Sequence, residues 1–237
     1  MTRMAAQTPR RRKACQAQSQ AARARVRAMR PRNFAICALL YLATSCTPLG
    51  DPKLSAAGFE DNFDRKSLGA NWNNTGGPFR IRDGELRIRG ARNRPLWLRR
   101  KLPHDVRIQF DVRSDSPDGD IKVEVFGDGR SKAESTSYTA TSYVVIFGGW
   151  HNQLNVLARM DEHAKDRVVG PRWPVEKGRT YHMKIERRGA TITAWADDHQ
   201  LATMNDPDPL YGAGHDHFAF NNWETDVAFD NLKIEAL

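Results

Sequence analysis

Period-two alternation of apolar and polar residues runs through the chain from about residue 106 and limits the folds open to it. Val106, Ile108, Phe110 and Val112 alternate with Arg107, Gln109, Asp111 and Arg113. Ile121, Val123 and Val125 alternate with Lys122, Glu124 and Phe126, and Tyr181, Met183 and Ile185 with His182, Lys184 and Glu186. Side chains of a strand point to opposite faces in turn, so each run reads as a strand with one face in a core and one facing out. No segment carries a helical period. Asp83-Gly84, Asp118-Gly119, Gly148-Gly149 and Arg188-Gly189 supply the turns between runs. About eleven to thirteen strands at this spacing predict an all-β domain, a two-sheet antiparallel sandwich, over 59–237.

The 37 Lys and Arg against 28 Asp and Glu give a net charge of +9, which invites a nucleic-acid reading. The charge is local, however. Ten bases fall in residues 1–33 and no acid precedes Asp51, so the remainder holds 27 bases against 28 acids. A near-neutral body has no long-range field for phosphate backbones, and nucleic acid is excluded as its partner.

Behind the basic segment, Phe34–Ser45 is a short apolar run, well under the roughly 20 residues that span a bilayer. Basic flank, apolar core and small residues read as a signal peptide over 1–45, leaving no transmembrane helix in the mature protein. Leu42-Ala43-Thr44-Ser45-Cys46 resembles a bacterial lipobox, with Ala43 where leucine is usual. The resemblance implies lipidation of Cys46, a tether over 46–58, and a protein anchored in the bacterial cell envelope. Thr47 lacks an acidic retention signal, which leans to the outer membrane. Met29 opens a compact signal by itself, so translation is expected to start there. With Cys15 and Cys37 in the leader, the mature chain keeps one cysteine and no internal disulfide.

Phe59-Glu60-Asp61-Asn62-Phe63-Asp64 with Trp72, the hairpin Phe79–Leu86, and the ending Phe218-Ala219-Phe220…Val227-Ala228-Phe229-Asp230-Asn231-Leu232 resemble concanavalin A-like lectin/glucanase domains. Within that superfamily the chain is similar to laminin-G-like and 3-keto-disaccharide-hydrolase-like bacterial domains. The resemblance implies a jelly roll whose outer sheet face takes a polysaccharide or oligosaccharide. It also implies a structural calcium near Asp230, with Glu60 and Asp61 as further oxygen ligands. The core parity shift between Phe229 and Leu232 predicts a bulge at Asp230-Asn231.

Parity then selects candidate site residues. In 152–163 we read Leu154, Val156, Ala158 and Met160 as the apolar face, with Asn155, Arg159, Asp161 and His163 opposite, broken by Leu157. In 215–223, Phe218 and Phe220 point inward, with His215, His217, Asn221 and Trp223 opposite. The hairpin carrying Trp150 and Asn152 adds a rim. Aromatic and polar side chains together suit a pyranose, whose apolar face stacks while its hydroxyls need partners.

These strand faces predict a carbohydrate-binding groove. An enzyme on the same scaffold, hydrolase or lyase, and a structural envelope lipoprotein are the alternatives. The glucanase Glu-x-Asp-x-x-Glu pattern is missing; Glu224-Thr225-Asp226…Asp230 has the wrong spacing. Asp161 beside His163 is the candidate acid–base pair, suited to proton abstraction from a sugar. His215-x-His217 has a spacing that can also chelate zinc, with His163 as a conceivable third ligand.

Overall fold

The computed structural model describes residues 50–237 except 136 and 137. The candidate lipidation site Cys46 and the whole leader lie outside the described residues. Fifteen strands are described: β1 Phe59–Asp61, β2 Trp72–Asn74, β3 Arg80–Arg82, β4 Glu85–Arg89, β5 Leu96–Leu98, β6 Val106–Ser114, β7 Ile121–Gly127, β8 Tyr143–Gly148, β9 Leu154–Arg159, β10 Val168–Val169, β11 Thr180–Arg188, β12 Thr191–Ala196, β13 His199–Asn205, β14 His217–Asn221 and β15 Asp226–Ala236.

They form two antiparallel sheets, the sandwich that the alternation predicted and the jelly roll that the resemblance implied. One has eight strands in the order β13-β12-β11-β6-β15-β4-β3, with β1 also paired to β15; the other runs β10-β9-β8-β7-β14-β5-β2. The bulge expected at Asp230-Asn231 is present as a register shift of β15 against β6. Between the sheets sits an aromatic core around Phe220, whose ring lies 4.4 Å from Phe229, 5.0 Å from Phe218 and 5.5 Å from Phe110. Each buried phenylalanine contributes about 1.5–3 kcal/mol.

The two outer faces differ. On the eight-stranded sheet, Arg107 of β6 sits between Glu186 and Glu235 of its neighbours, at 2.6 and 3.0 Å, and Arg113 reaches Glu85 at 2.9 Å. That face is a solvated ladder of ion pairs, each worth under about 1 kcal/mol. On the seven-stranded sheet, every residue of β7, β8 and β14 is buried. Val144, Ile146, Val156 and Ala158 form a second apolar cluster there, joined by Ala140 and packed against by Tyr138, Trp150 and Leu154. The segments carrying Tyr138–Ser142, Trp150 and Glu162 fold over this face, and the site lies beneath them.

The tether expected over 46–58 is docked from Asp51 onward. Lys53 makes a parallel bridge to Lys101, the amides of Leu54 and Lys101 donate to Lys101 and Pro52 carbonyls at 2.9 Å, and Leu54 packs on the core.

Candidate functional site

A cavity of about 720 Å³ opens on the outer face of the seven-stranded sheet. Ile146, Trp150 and Tyr138 give its lining apolar surface, Asp120, Lys122, Glu162 and His163 give it charge, and the part-exposed Trp223 joins them. Alternation along β7 produces this mixture. With Ile121, Val123 and Val125 in the core, Lys122 and Glu124 must point to the opposite face, which the neighbouring apolar run of β8 keeps dry.

Lys122 is only 3% exposed, and its ammonium lies 2.8 Å from Glu162 Oε2 and donates to Asn93 Oδ1 at 3.1 Å. Burial works against its charge, but the carboxylates of Asp120 and Glu162 outweigh that and hold its pKa above the ordinary value. Asp120 moves upward because burial disfavours its carboxylate more than Lys122 and the Trp223 amide, which donates to Oδ2 at 2.7 Å, favour it. Asp120 takes the left-handed region at φ 54°, as does Asn93 at 56°. Asp and Asn tolerate that region best among residues with a side chain.

Below this layer, Glu124 has no exposure and accepts hydrogen bonds from Ser142 Oγ at 2.6 Å, Asn221 Nδ2 at 2.8 Å and the Tyr138 hydroxyl at 3.1 Å. Burial raises its pKa to about 7, the three donors and Lys122 pulling against that rise.

Trp150 stands on a left-handed turn, with φ of 50°, 56° and 61° at Trp150, His151 and Asn152. Such backbone costs about 1–2 kcal/mol per residue, so something must hold it. Asn152 does: its Nδ2 donates to Pro117 and Val175 carbonyls at 3.0 and 2.8 Å, and its Oδ1 accepts from the Val175 amide at 2.7 Å. Asn152 therefore positions the rim without facing the cavity. The Arg167 guanidinium covers the Trp150 ring at 4.8 Å, and His163 meets it edge-on at 5.5 Å.

The structure gathers Trp150, Asp161, His163 and Trp223 around the cavity and places Asn221 beneath it through Glu124. Asn155, Arg159, His215 and His217 are placed elsewhere. The parity read along β9 is reversed. Leu157 belongs to the main core, whereas Val156 and Ala158 belong to the outer-face cluster. Asn155 is consequently buried at the sandwich edge, donating to Pro171 and Trp173 carbonyls at 2.8 and 3.2 Å. Arg159 donates to Asp206 Oδ2 at 2.9 Å, an oxygen that also accepts from the Tyr143 hydroxyl at 2.6 Å. His217 is buried between Asp216 and Asp51, at 2.7 and 3.3 Å, and His215 Nδ1 contacts the Thr141 carbonyl at 2.7 Å. Neither histidine lines the cavity.

Asp161 and His163 do meet, but through the backbone. Asp161 Oδ1 accepts from the His163 amide at 2.9 Å, and the carboxylate nearest the imidazole is Glu162, at 3.7 Å. Residues 161–163 follow β9 in a turn, where alternation no longer applies, so adjacent Asp161 and Glu162 both reach the cavity.

Of the carboxylates expected to share calcium, Asp61 is engaged by other partners. Asp61 accepts a bidentate pair of bonds from Arg65 and one from Trp72 Nε1 at 2.8 Å, so its charge is already met. Glu60 is exposed opposite Lys233, and Asp230 Oδ1 accepts from the Asn231 amide at 2.7 Å. Among the described residues, no three His, Cys, Asp or Glu side chains are grouped to hold a metal.

Asp120, Lys122, Glu162, Tyr138 and Asn93 escaped the sequence reading. A signal for Lys122 and Glu124 was present: Tyr143–Phe147 is an unbroken apolar run, the mark of a strand buried on both faces.

Residues 58–235 match the model of a family described as the 3-keto-alpha-glucoside-1,2-lyase-like domain. The chain belongs to this family. No curated protein matches it. Solved structures share the fold of this lyase-like domain. The carbohydrate-binding module CBM66 from Bacillus subtilis is 16% identical with a TM-score of 0.52, over 72% of this chain and 98% of that one. A putative glycosyl hydrolase from Parabacteroides distasonis is also 16% identical with a TM-score of 0.52, over 74% and 92%. The Bacillus licheniformis beta-glucanase is 7% identical with a TM-score of 0.56, over 76% and 99%. At such identities these likenesses speak for the sandwich alone.

Proposed function

We propose that the groove binds a glycoside bearing a ketone at C3 and eliminates across its C1–C2 bond. The observation that carries this reading is Lys122, a buried ammonium on the groove floor between Asp120 and Glu162. A C3 ketone acidifies the proton at C2, and loss of that proton leaves negative charge on the ketone oxygen. A fixed cation in a water-poor cleft is worth most where such charge develops. Glu162, 2.8 Å from Lys122, is placed to take the C2 proton, with His163 beside it to carry the proton onward. The C1–O bond breaks with both electrons going to the departing oxygen, which gains a proton. An unsaturated keto sugar and an alcohol result. The family description supports the reaction class, and the exposed Trp223 supplies a stacking surface for the sugar, with Trp150 also in the lining.

Incubation with a 3-keto-α-glucoside, followed by ultraviolet absorbance and mass spectrometry, tests this. The unsaturated product should appear with the wild type and be lost with Glu162→Gln. Retention of the glycoside without any product would replace elimination by binding alone, the reading that the two tryptophans carry by themselves.

Export and lipid anchoring through Cys46 belong to the same proposal, supported by the basic, apolar and small-residue order of residues 1–46. The envelope would then hold the groove where exogenous saccharides arrive. Metabolic labelling with a palmitate analogue should mark the protein and fail with Cys46→Ala.

A further inference from the structure

Elimination needs a proton for the departing oxygen. Tyr138 lines the same cavity as Lys122, Glu162 and His163, and its hydroxyl stands 3.1 Å from both oxygens of Glu124. Its place is fixed by its packing on the outer apolar cluster and by the Ala140 amide, which donates to the Met160 carbonyl at 2.8 Å. Glu124 itself does not line the cavity and touches it only through Tyr138 and Lys122's strand. A fully buried carboxyl is a poor choice for holding strands together, because desolvating its charge is costly and an apolar pair would serve better. Three convergent donors on one buried acid mark a site where the acid itself is used.

Resting on the proposed elimination, we infer that Tyr138 is the catalytic proton donor to the departing C1 oxygen and that Glu124, acting through it, reloads the phenol. As the C1–O bond breaks, the Tyr138 hydroxyl proton passes to the departing oxygen. The carboxyl proton of neutral Glu124 passes to the tyrosine oxygen. Glu124 is left as a carboxylate, held by Ser142 and Asn221, and regains a proton from water after product leaves. The direction of the Tyr138–Glu124 hydrogen bond follows the charge. With Glu124 ionised, Tyr138 must donate inward; with Glu124 neutral, the carboxyl can donate and the phenol can turn to the groove. The charged groups facing this pair are Lys122 on the same strand, Asp128 ahead of Tyr138, and Glu162 beyond β9. Asn221 of β14 and Ser142, just before β8, meet Glu124 with neutral donors.

The test compares two 3-keto-α-glucosides, one with methanol and one with para-nitrophenol as leaving group. Nitrophenolate departs without protonation, so Tyr138→Phe should lower kcat on the methyl glycoside about 100-fold or more, within the range of general acid catalysis. On the nitrophenyl glycoside the loss should stay under about 10-fold. Glu124→Gln should show the same split and lose the fall in kcat/KM above about pH 7, the range where Glu124 ionises. Phenylalanine keeps the ring packing, and an unchanged melting temperature checks the fold. Turnover that Tyr138→Phe reduces equally on both glycosides, or not at all, overturns the relay alone. Absence of turnover by the wild type overturns the elimination and the relay with it.

Discussion

Glu162 Oε2 lies 2.8 Å from Lys122 Nζ, and this contact joins the turn after β9 to the start of β7 across the intervening strand β8. It ties the turn that carries Asp161 and His163 to the groove floor. Because the pair is buried, its two halves depend on each other more than either adds to stability.

Removing Lys122 should therefore be costly. Lys122→Met leaves Glu162 and Asp120 facing a dry floor without their cation, and should destabilise the fold by about 3–5 kcal/mol. Lys122→Met with Glu162→Leu should recover a large part of that. Urea unfolding of the wild type and these two variants measures both effects.

Glu124 ties stability to pH. Its folded pKa, about 7, exceeds the ordinary 4.5, so between these values the folded chain holds a proton that the unfolded chain has released. Stability must then fall as pH rises through that window, by on the order of 3 kcal/mol. Asp120, also shifted upward by burial, acts in the same direction. Asp61 and Asp206 act oppositely. Burial alone would raise both, but Arg65, Trp72 and Phe63 on the first and Tyr143, Asp208 and Arg159 on the second hold them below the ordinary 3.8. Their contribution is present above that value and fades as pH falls beneath it. Melting temperature against pH should peak between about pH 3.8 and 4.5, decline from there to about pH 7 and level off above it, and Glu124→Gln should flatten that decline.

Trp223 and Arg159 should respond in opposite ways. Trp223 is 37% exposed on the rim, so Trp223→Ala should weaken glycoside retention at least about 10-fold, a loss of one stacking contact, and leave stability nearly unchanged. Arg159→Ala removes the guanidinium bonded to Asp206, an oxygen already shared with Tyr143. It should cost about 1.5–3 kcal/mol, as expected for a hydrogen bond to a charged group, and leave retention intact. Affinity electrophoresis and thermal melts separate the two.

At the sandwich edge, a chelator distinguishes the arginine from a metal. With Arg65 bonded to both oxygens of Asp61, EDTA should leave the melting temperature unchanged. Arg65→Ala, in contrast, should lower stability by about 1.5–3 kcal/mol by stranding a buried carboxylate.

The sandwich was legible because β6 and β11 alternate cleanly: their outer residues meet water, and period two survives. The site was harder to read for the opposite reason. Once both faces of β8 and β9 are covered, polar no longer means outward: Asn155 shares the inward parity of Leu157, and the apolar Val156 and Ala158 take the outer face. Trp150, His163 and Trp223 were found because large polar aromatics have few other uses on a strand end. Lys122 and Glu162 were not found, because what makes them unusual is the cover laid over them by segments distant in sequence.

The docked segment at Pro52–Leu54 gives the molecule a mechanical character as well. Its bonds to Lys101 run between parallel chain stretches. A pull on residue 50 directed along the segment would load those bonds together, as a lap joint is loaded in shear. A pull at right angles would peel them one at a time. Force spectroscopy with the handle at residue 50 should thus record a separate early rupture whose height depends on pulling direction, while the sheets that frame the groove remain intact.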